Sequence, residues 1–219
     1  MDTQPRNAQI AYRSELVRKA IHLCSLAIPV IYLFVTREQA LMMLVPVTIF
    51  AVVIDLGRYY FPPLRSLFHR FFGWLLRKHE SDTRKKRLNG ATYVLISAAV
   101  SVFIFPKFIA LTSFTVLIIG DTFAALIGRK FGRHPFNGKT VEGTLAFIVS
   151  GMLVIILSPK IDYRTAEYLI GFFAVVIGAV VEALSISIDD NLSIPLSVGA
   201  TMWILYHFFL PMLNVFKWV

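Results

Sequence analysis

Cysteine is nearly missing from this chain. Cys24 stands alone, which excludes an internal disulfide and leaves a cysteine-built metal cluster without ligands. In its apolar setting Cys24 reads as a small helix residue. Charge is scarce too: Asp, Glu, Lys and Arg make up 16% of 219 residues, while 57% are hydrophobic. A soluble domain carries roughly 25% charged residues. A phosphate loop of the form GxxxxGK[ST] is absent, as are internal repeats and low-complexity tracts. The opening "MDTQPRNAQIAYRSELVRK" is too polar and too long for a signal peptide, so the first apolar segment is expected to remain in the protein.

What the chain has in place of charge is long apolar runs, over 20–36, 39–55, 91–106, 108–127, 144–159, 166–187 and 192–212. Several fall short of the ~20 residues that span a bilayer. The pattern predicts an all-α fold, a multi-span transmembrane helical bundle of about seven spans. Residues 1–219 read as a single integral-membrane domain. Its cations are uneven. The N-terminal segment (Arg6, Arg13, Arg18, Lys19), the stretch 58–87 and the stretch 129–139 hold most of the lysines and arginines. Arg37, Lys107, Lys160, Arg164 and Lys217 fall in the alternate loops. The positive-inside rule then puts the N-terminus in the cytoplasm and the C-terminus outside. A net charge of +9 therefore points to cytoplasmic loops and anionic headgroups rather than to nucleic acid. Within 58–88, a basic loop, Leu64, Leu67, Phe68, Phe71, Leu75 and Leu76 approximate one apolar stripe, the pattern of an interfacial amphipathic helix.

The polar residues that remain are concentrated. Asp121 lies inside an apolar run, where an ionised carboxylate costs about 2.5–3.5 kcal/mol unless it meets a partner or a polar cavity. Asp121, Ala124, Ala125 and Gly128 share one helix face, which reads as a carboxylate on a smooth groove wall. The stretch 128–143 follows with Gly128, Arg129, Lys130, Arg133, Lys139, Thr140 and Glu142. Glycine lets backbone approach a phosphate, and Lys and Arg neutralise it. Hard carboxylates beside such cations suggest Mg²⁺ bridging a nucleotide. Glu15, Arg18, Lys19 and His22 fall on one face of the first segment and could line the same cavity. Glu182, Asp189, Asp190 and Asn191 make the sixth loop acidic among basic companions, fit to hold a cation or accept a proton. Asp55, Arg58, Asn89 and Gly90 complete the polar features of this side.

Taken together, "ELVRKAIH", "DLGR", "LNGATYVLIS", "GDTFAALIGRKFGRHPFNGKTVEGT" and "EALSISIDDNLSIPL" resemble the CTP-dependent polyprenol and lipid kinases: dolichol kinase, phytol kinase and the CTP-using diacylglycerol kinase. The central block is also similar to CDP-diacylglycerol synthases, which leaves a cytidylyltransferase open. An ion-coupled transporter is a second alternative. The resemblance implies transfer of the γ-phosphate of CTP to a membrane lipid alcohol, with Mg²⁺ as cofactor. The expected catalytic residues are Asp121, Lys139, Glu142 and Asp190. Arg18, Lys19, Asn89, Gly128, Arg129, Arg133, Lys139 and Thr140 are expected at the nucleotide, and Asp121, Glu142 and Asp189 at the metal. The site would face the cytoplasm from a bacterial inner membrane or an ER-type membrane.

Overall fold

The structure is a computed structural model that describes residues 15–72, 88–184 and 188–216. Arg6, Arg13, the cations at 77–87, and Leu75 and Leu76 of the apolar stripe lie outside the described residues. Helix α1 covers residues 15–24, and after a tight turn α2 covers Ala27–Phe34. The turn has a local cause. Pro29 has no N–H to offer the Ser25 carbonyl, which takes Ile28 N–H instead at 3.0 Å. The pair forms one span, Glu15–Phe34. Helix α3, Arg37–Tyr60, opens with a capping box between Thr36 and Gln39. Helix α4, Pro62–Phe72, begins with proline, whose fixed φ suits a first turn. Helices α5 (Gly90–Ile104) and α6 (Lys107–Phe131) follow, then a hairpin of β1 (Pro135–Phe136) and β2 (Lys139–Thr140). Helices α7 (Val141–Leu157), α8 (Thr165–Leu184) and α9 (Asp190–Phe209) complete the order.

Each of the seven apolar segments thus corresponds to helix. Five helices are long and apolar enough to cross a membrane, and the chain is an integral membrane protein. Helices α5 and α7, of 15 and 17 residues, reach only about 22–26 Å at 1.5 Å per residue, short of the ~30 Å hydrocarbon core. Helix α6 forms the axle. Two thirds of its apolar window is buried, 67%, against 11% for α3. It packs on α7 and α9, with α5 and α2 beside it.

Lipid tails are as apolar as leucine, so these helices associate through close contact rather than through a hydrophobic drive. Small residues supply that contact. At Gly120 of α6 an added Cβ would lie 2.8 Å from the Phe147 ring of α7, so the aromatic fills the notch that glycine leaves. Large apolar side chains such as Met42, Phe50, Leu153, Phe173 and Phe208 point outward, as a bilayer solvent requires. Helix α4 coincides with the start of the stripe read from the sequence. Its Leu64 packs at Gly57 of α3, and Arg65 Nε donates to the Arg58 carbonyl at 3.3 Å, tying α4 back to α3.

Candidate active site

At one end of the bundle the start of α1, the end of α6, the hairpin, the start of α7, the end of α8 and the start of α9 converge. The hairpin sets the arrangement. Asn137 and Gly138 form its two-residue loop with φ of +47° and +79°, the positive values that a tight hairpin turn needs and that Asn-Gly adopts most readily. The register pairs Phe136 with Lys139 and Pro135 with Thr140. The Asn137 side-chain amide donates to the Leu184 carbonyl, satisfying one of the terminal carbonyls of α8. The hairpin is therefore docked on the end of α8, and Lys139 is delivered to two acids: Nζ lies 2.7 Å from Glu182 Oε1 and 2.9 Å from Asp190 Oδ2. Burial pulls the Lys139 pKa down, but the two carboxylates more than offset it, and the ammonium is held above its ordinary value.

A second lysine is held in the same manner. Lys19 of α1 donates to Asp121 Oδ2 of α6, and His22 Nε2 stands 3.5 Å from the same oxygen. Lys19 is buried, as is Glu15, which pairs with Arg18 and, at 2.7 Å, with Arg129 of α6. Asp121 also lies near enough to Glu182 and Asp190 to repel their charge. The structure thus brings Arg18, Lys19, Asp121, Arg129, Lys139 and Asp190 into one zone drawn from separate helices. It adds Glu182, which the expected site omitted although its place inside an apolar helix was a signal.

Other expected residues are occupied elsewhere. Thr140 caps α7, its hydroxyl accepting from Gly143 N–H at 3.1 Å. Asn89 caps α5 by accepting from Thr92 N–H at 3.0 Å, while its own N–H donates to Asp55 Oδ2 at 2.6 Å. Asp55 in turn pairs with buried Arg58 at 2.9 Å. Asp189 caps α9. Glu142 meets His134 Nδ1 at 2.7 Å on an open cavity of about 460 Å³ lined by Lys130, Phe131, Gly132, Arg133, His134 and Glu142. The expected metal trio of Asp121, Glu142 and Asp189 is therefore not assembled: Glu142 is turned to His134 and Asp189 to a helix end. Among the described residues no three His, Cys, Asp or Glu side chains form a metal cage.

The small-residue face of α6 also differs from the smooth groove wall expected. A Cβ at Gly128 would lie 2.8 Å from Thr140 Oγ1, and one at Gly143 would lie 2.9 Å from the Ala124 carbonyl. These residues let α6 and α7 touch backbone to backbone, which locks the hairpin between them.

No family model and no solved structure matches the chain. An uncharacterized protein of Rickettsia prowazekii is 32% identical over 189 residues, covering 84% of this chain and 90% of that one. The CTP-dependent diacylglycerol kinase 1 of Saccharomyces cerevisiae is 28% identical over 210 residues, covering 84% and 70%. The probable chloroplastic phytol kinase 1 of Oryza sativa is 31% identical over 136 residues, covering 55% and 43%. The chain belongs to the CTP-dependent lipid kinase family. In this lipid kinase family member, Lys19, Lys139 and their carboxylate partners come from elements far apart in sequence, so only the folded bundle assembles the candidate site.

Proposed function

We propose that this protein transfers the γ-phosphate of CTP to the hydroxyl of a membrane lipid alcohol, prenol-like or diacylglycerol. One observation carries the reading. Buried Lys19 and half-buried Lys139 are each paired with carboxylates from other elements at one end of a membrane bundle. Phosphate oxygens can take over such lysines, and charge spread over a transferring phosphoryl group is what they stabilise. Arg18 and Arg129, paired through Glu15, add two more donors for the nucleotide. The kinases named among the relatives support the same reading.

Mg²⁺ fits the donor set. Asp121 and Asp190 offer hard oxygens, and Mg²⁺ at nucleotide sites is held by one or two carboxylates plus phosphates rather than by a protein cage. Asp121, freed as Lys19 turns to phosphate, is the residue that would hold it. When bound, the ion neutralises charge on the phosphates. The cation distribution supports a cytoplasmic setting for this end, where the nucleotide is dissolved.

The test uses purified protein with CTP labelled separately at the α and γ positions, Mg²⁺, and a mixture of diacylglycerol, polyprenol and phosphatidate. Label from the γ position is expected in the lipid fraction, with CDP released and excess unlabelled ATP a poor competitor. Label entering only from the α position, with pyrophosphate released, overturns the kinase reading in favour of a cytidylyltransferase.

A further inference from the structure

Phosphoryl transfer to a lipid alcohol requires an acceptor for the hydroxyl proton. Among the acidic residues of the site, Glu15 is engaged by Arg18 and Arg129, and Asp121 by Lys19 and His22. Asp189 caps α9. Glu142 is turned to His134. Asp190 sits at a helix start, its side chain 31% exposed. Glu182 differs from all of them. It lies in the last turn of α8, within an apolar helix, and its side chain is 6% exposed. Oε1 takes Lys139. Oε2 is buried, and among the described residues no hydrogen bond reaches it. A buried carboxylate oxygen left unpaired costs about 1–3 kcal/mol or more, and such an orphan in a native fold calls for a reason. The charged groups that face it are Lys139 from β2, Asp121 from α6 and Asp190 from α9. The neighbouring helix α7 carries a single charged residue, Glu142, and that one is occupied.

We propose that Glu182 is the general base of the phosphoryl transfer, with Oε2 as the atom that takes the hydroxyl proton. This inference rests on the lipid-alcohol kinase reading. As the O–H bond of the alcohol breaks, its proton passes to Oε2. The alcohol oxygen bonds to the γ-phosphorus, and the bond from that phosphorus to the oxygen bridging to the β-phosphate breaks. The nucleoside diphosphate leaves with the electron pair, and Glu182 later returns the proton to water. Lys139 makes the base conditional. In the free protein its ammonium quenches Glu182. Phosphates compete for the same ammonium, so nucleotide arrival removes the counter-charge and strengthens the base only when there is a phosphoryl group to transfer. A base buried in an apolar helix also suits a substrate whose hydroxyl is the one polar end of an apolar molecule.

The full chain in lipid nanodiscs, supplied with Mg²⁺, CTP and a long-chain prenol, tests this. Glu182→Gln keeps the shape and removes the base. Its kcat is expected to fall about 10²- to 10⁴-fold, the range that positioned acid–base groups supply, while Mg²⁺–CTP binding stays within about threefold of wild type. A prenol analogue fluorinated beside the hydroxyl is more acidic and needs less help losing its proton, so on it the defect should shrink at least about tenfold. A merely structural role would depress both alcohols alike. Near-wild-type kcat in Glu182→Gln, or an equal defect on the two alcohols, overturns the proposal. Should Glu182→Gln fail to fold, Glu182→Asp carries the same comparison: the retracted carboxylate should be slow on the ordinary alcohol and closer to wild type on the acidic one, and equal defects again overturn it. A wild-type protein that moves no γ-label to any alcohol removes the kinase reading itself, and the base with it.

Discussion

Lys139, half-buried, and Lys160, buried, lie at opposite ends of the bundle, and their charges are held by different means. Lys160, 2% exposed, lies between α7 and α8. Its ammonium donates to the carbonyls of Ser158, at 2.8 Å, and Ile155, and sits 4.8 Å over the Tyr168 ring. Beside it, Glu167 accepts from the backbone N–H groups of Ile161, Asp162 and Arg164 at 2.8–3.0 Å and from the Tyr206 hydroxyl at 3.1 Å. Backbone supplies both bonds to Lys160 and three of the four to Glu167. Lys139 instead meets the side chains of Glu182 and Asp190. The protonation tendencies diverge accordingly. Burial pushes the Lys160 pKa down with only Glu167 opposing, whereas paired carboxylates hold Lys139 up. A charge satisfied by backbone is fixed with the fold and serves to shape a loop, here one that carries Tyr163 at φ +58°. A charge satisfied by another side chain can change partners when a ligand offers a better one. The first arrangement builds, and the second is available for chemistry.

Substitutions at both ends break or sharpen that contrast. Asp121→Asn should have the largest effect, a fall in lipid phosphorylation of about 10²- to 10³-fold, the scale seen when a group aimed at transition-state charge is lost. Its elution in size-exclusion chromatography should match wild type. Retained activity would place Asp121 with the structural charges. Glu167→Gln should do the reverse. It weakens a buried carboxylate that accepts four hydrogen bonds, at a cost of about 1.5–3 kcal/mol if one charged bond is lost outright. That loss is measured as a lower Tm in detergent, with kcat per folded molecule within about twofold of wild type. A specific loss of kcat would mean that the far end reaches the site. Arg164→Ala should have the least effect. Its pairing with Asp162 at 3.0 Å is exposed, and such pairs contribute at most about 1 kcal/mol. A clear drop in Tm would show that this loop depends on side-chain charge after all.

Much of this architecture was legible in the sequence, because a bilayer demands apolar runs of helical length and the runs match the helices. The helix ends were less so. The run 108–127 continues to Phe131 as α6, since Arg129 and Lys130 are polar yet favour the negative end of a helix dipole. Asn137-Gly138 between Pro135-Phe136 and Lys139-Thr140 is a readable hairpin signal, but the glycines and cations around it read equally well as a phosphate loop. The zone of the candidate site was legible from intramembrane and clustered charge: Lys19 does pair with Asp121, and Lys139 with Asp190. The division of labour was not. Thr140, Asn89 and Asp189 are residue types that serve equally as helix caps or as ligands, and composition cannot separate the two uses. Which acid Lys139 finds depends on how the hairpin lands on α8, a tertiary fact that no local pattern encodes.

The Lys19–Asp121 pair, 102 residues apart along the chain, has a consequence for biosynthesis. A chain made from its N-terminus has Lys19 in place before the helix bearing Asp121 is complete, whereas Lys139, Glu182 and Asp190 are still to be translated. Of the two lysines paired with carboxylates at this end, only Lys19 is available to that acid as its helix enters the bilayer, when an unpaired carboxylate costs about 2.5–3.5 kcal/mol. The lysine at the start of the molecule is thus positioned to act as the acid's escort during insertion.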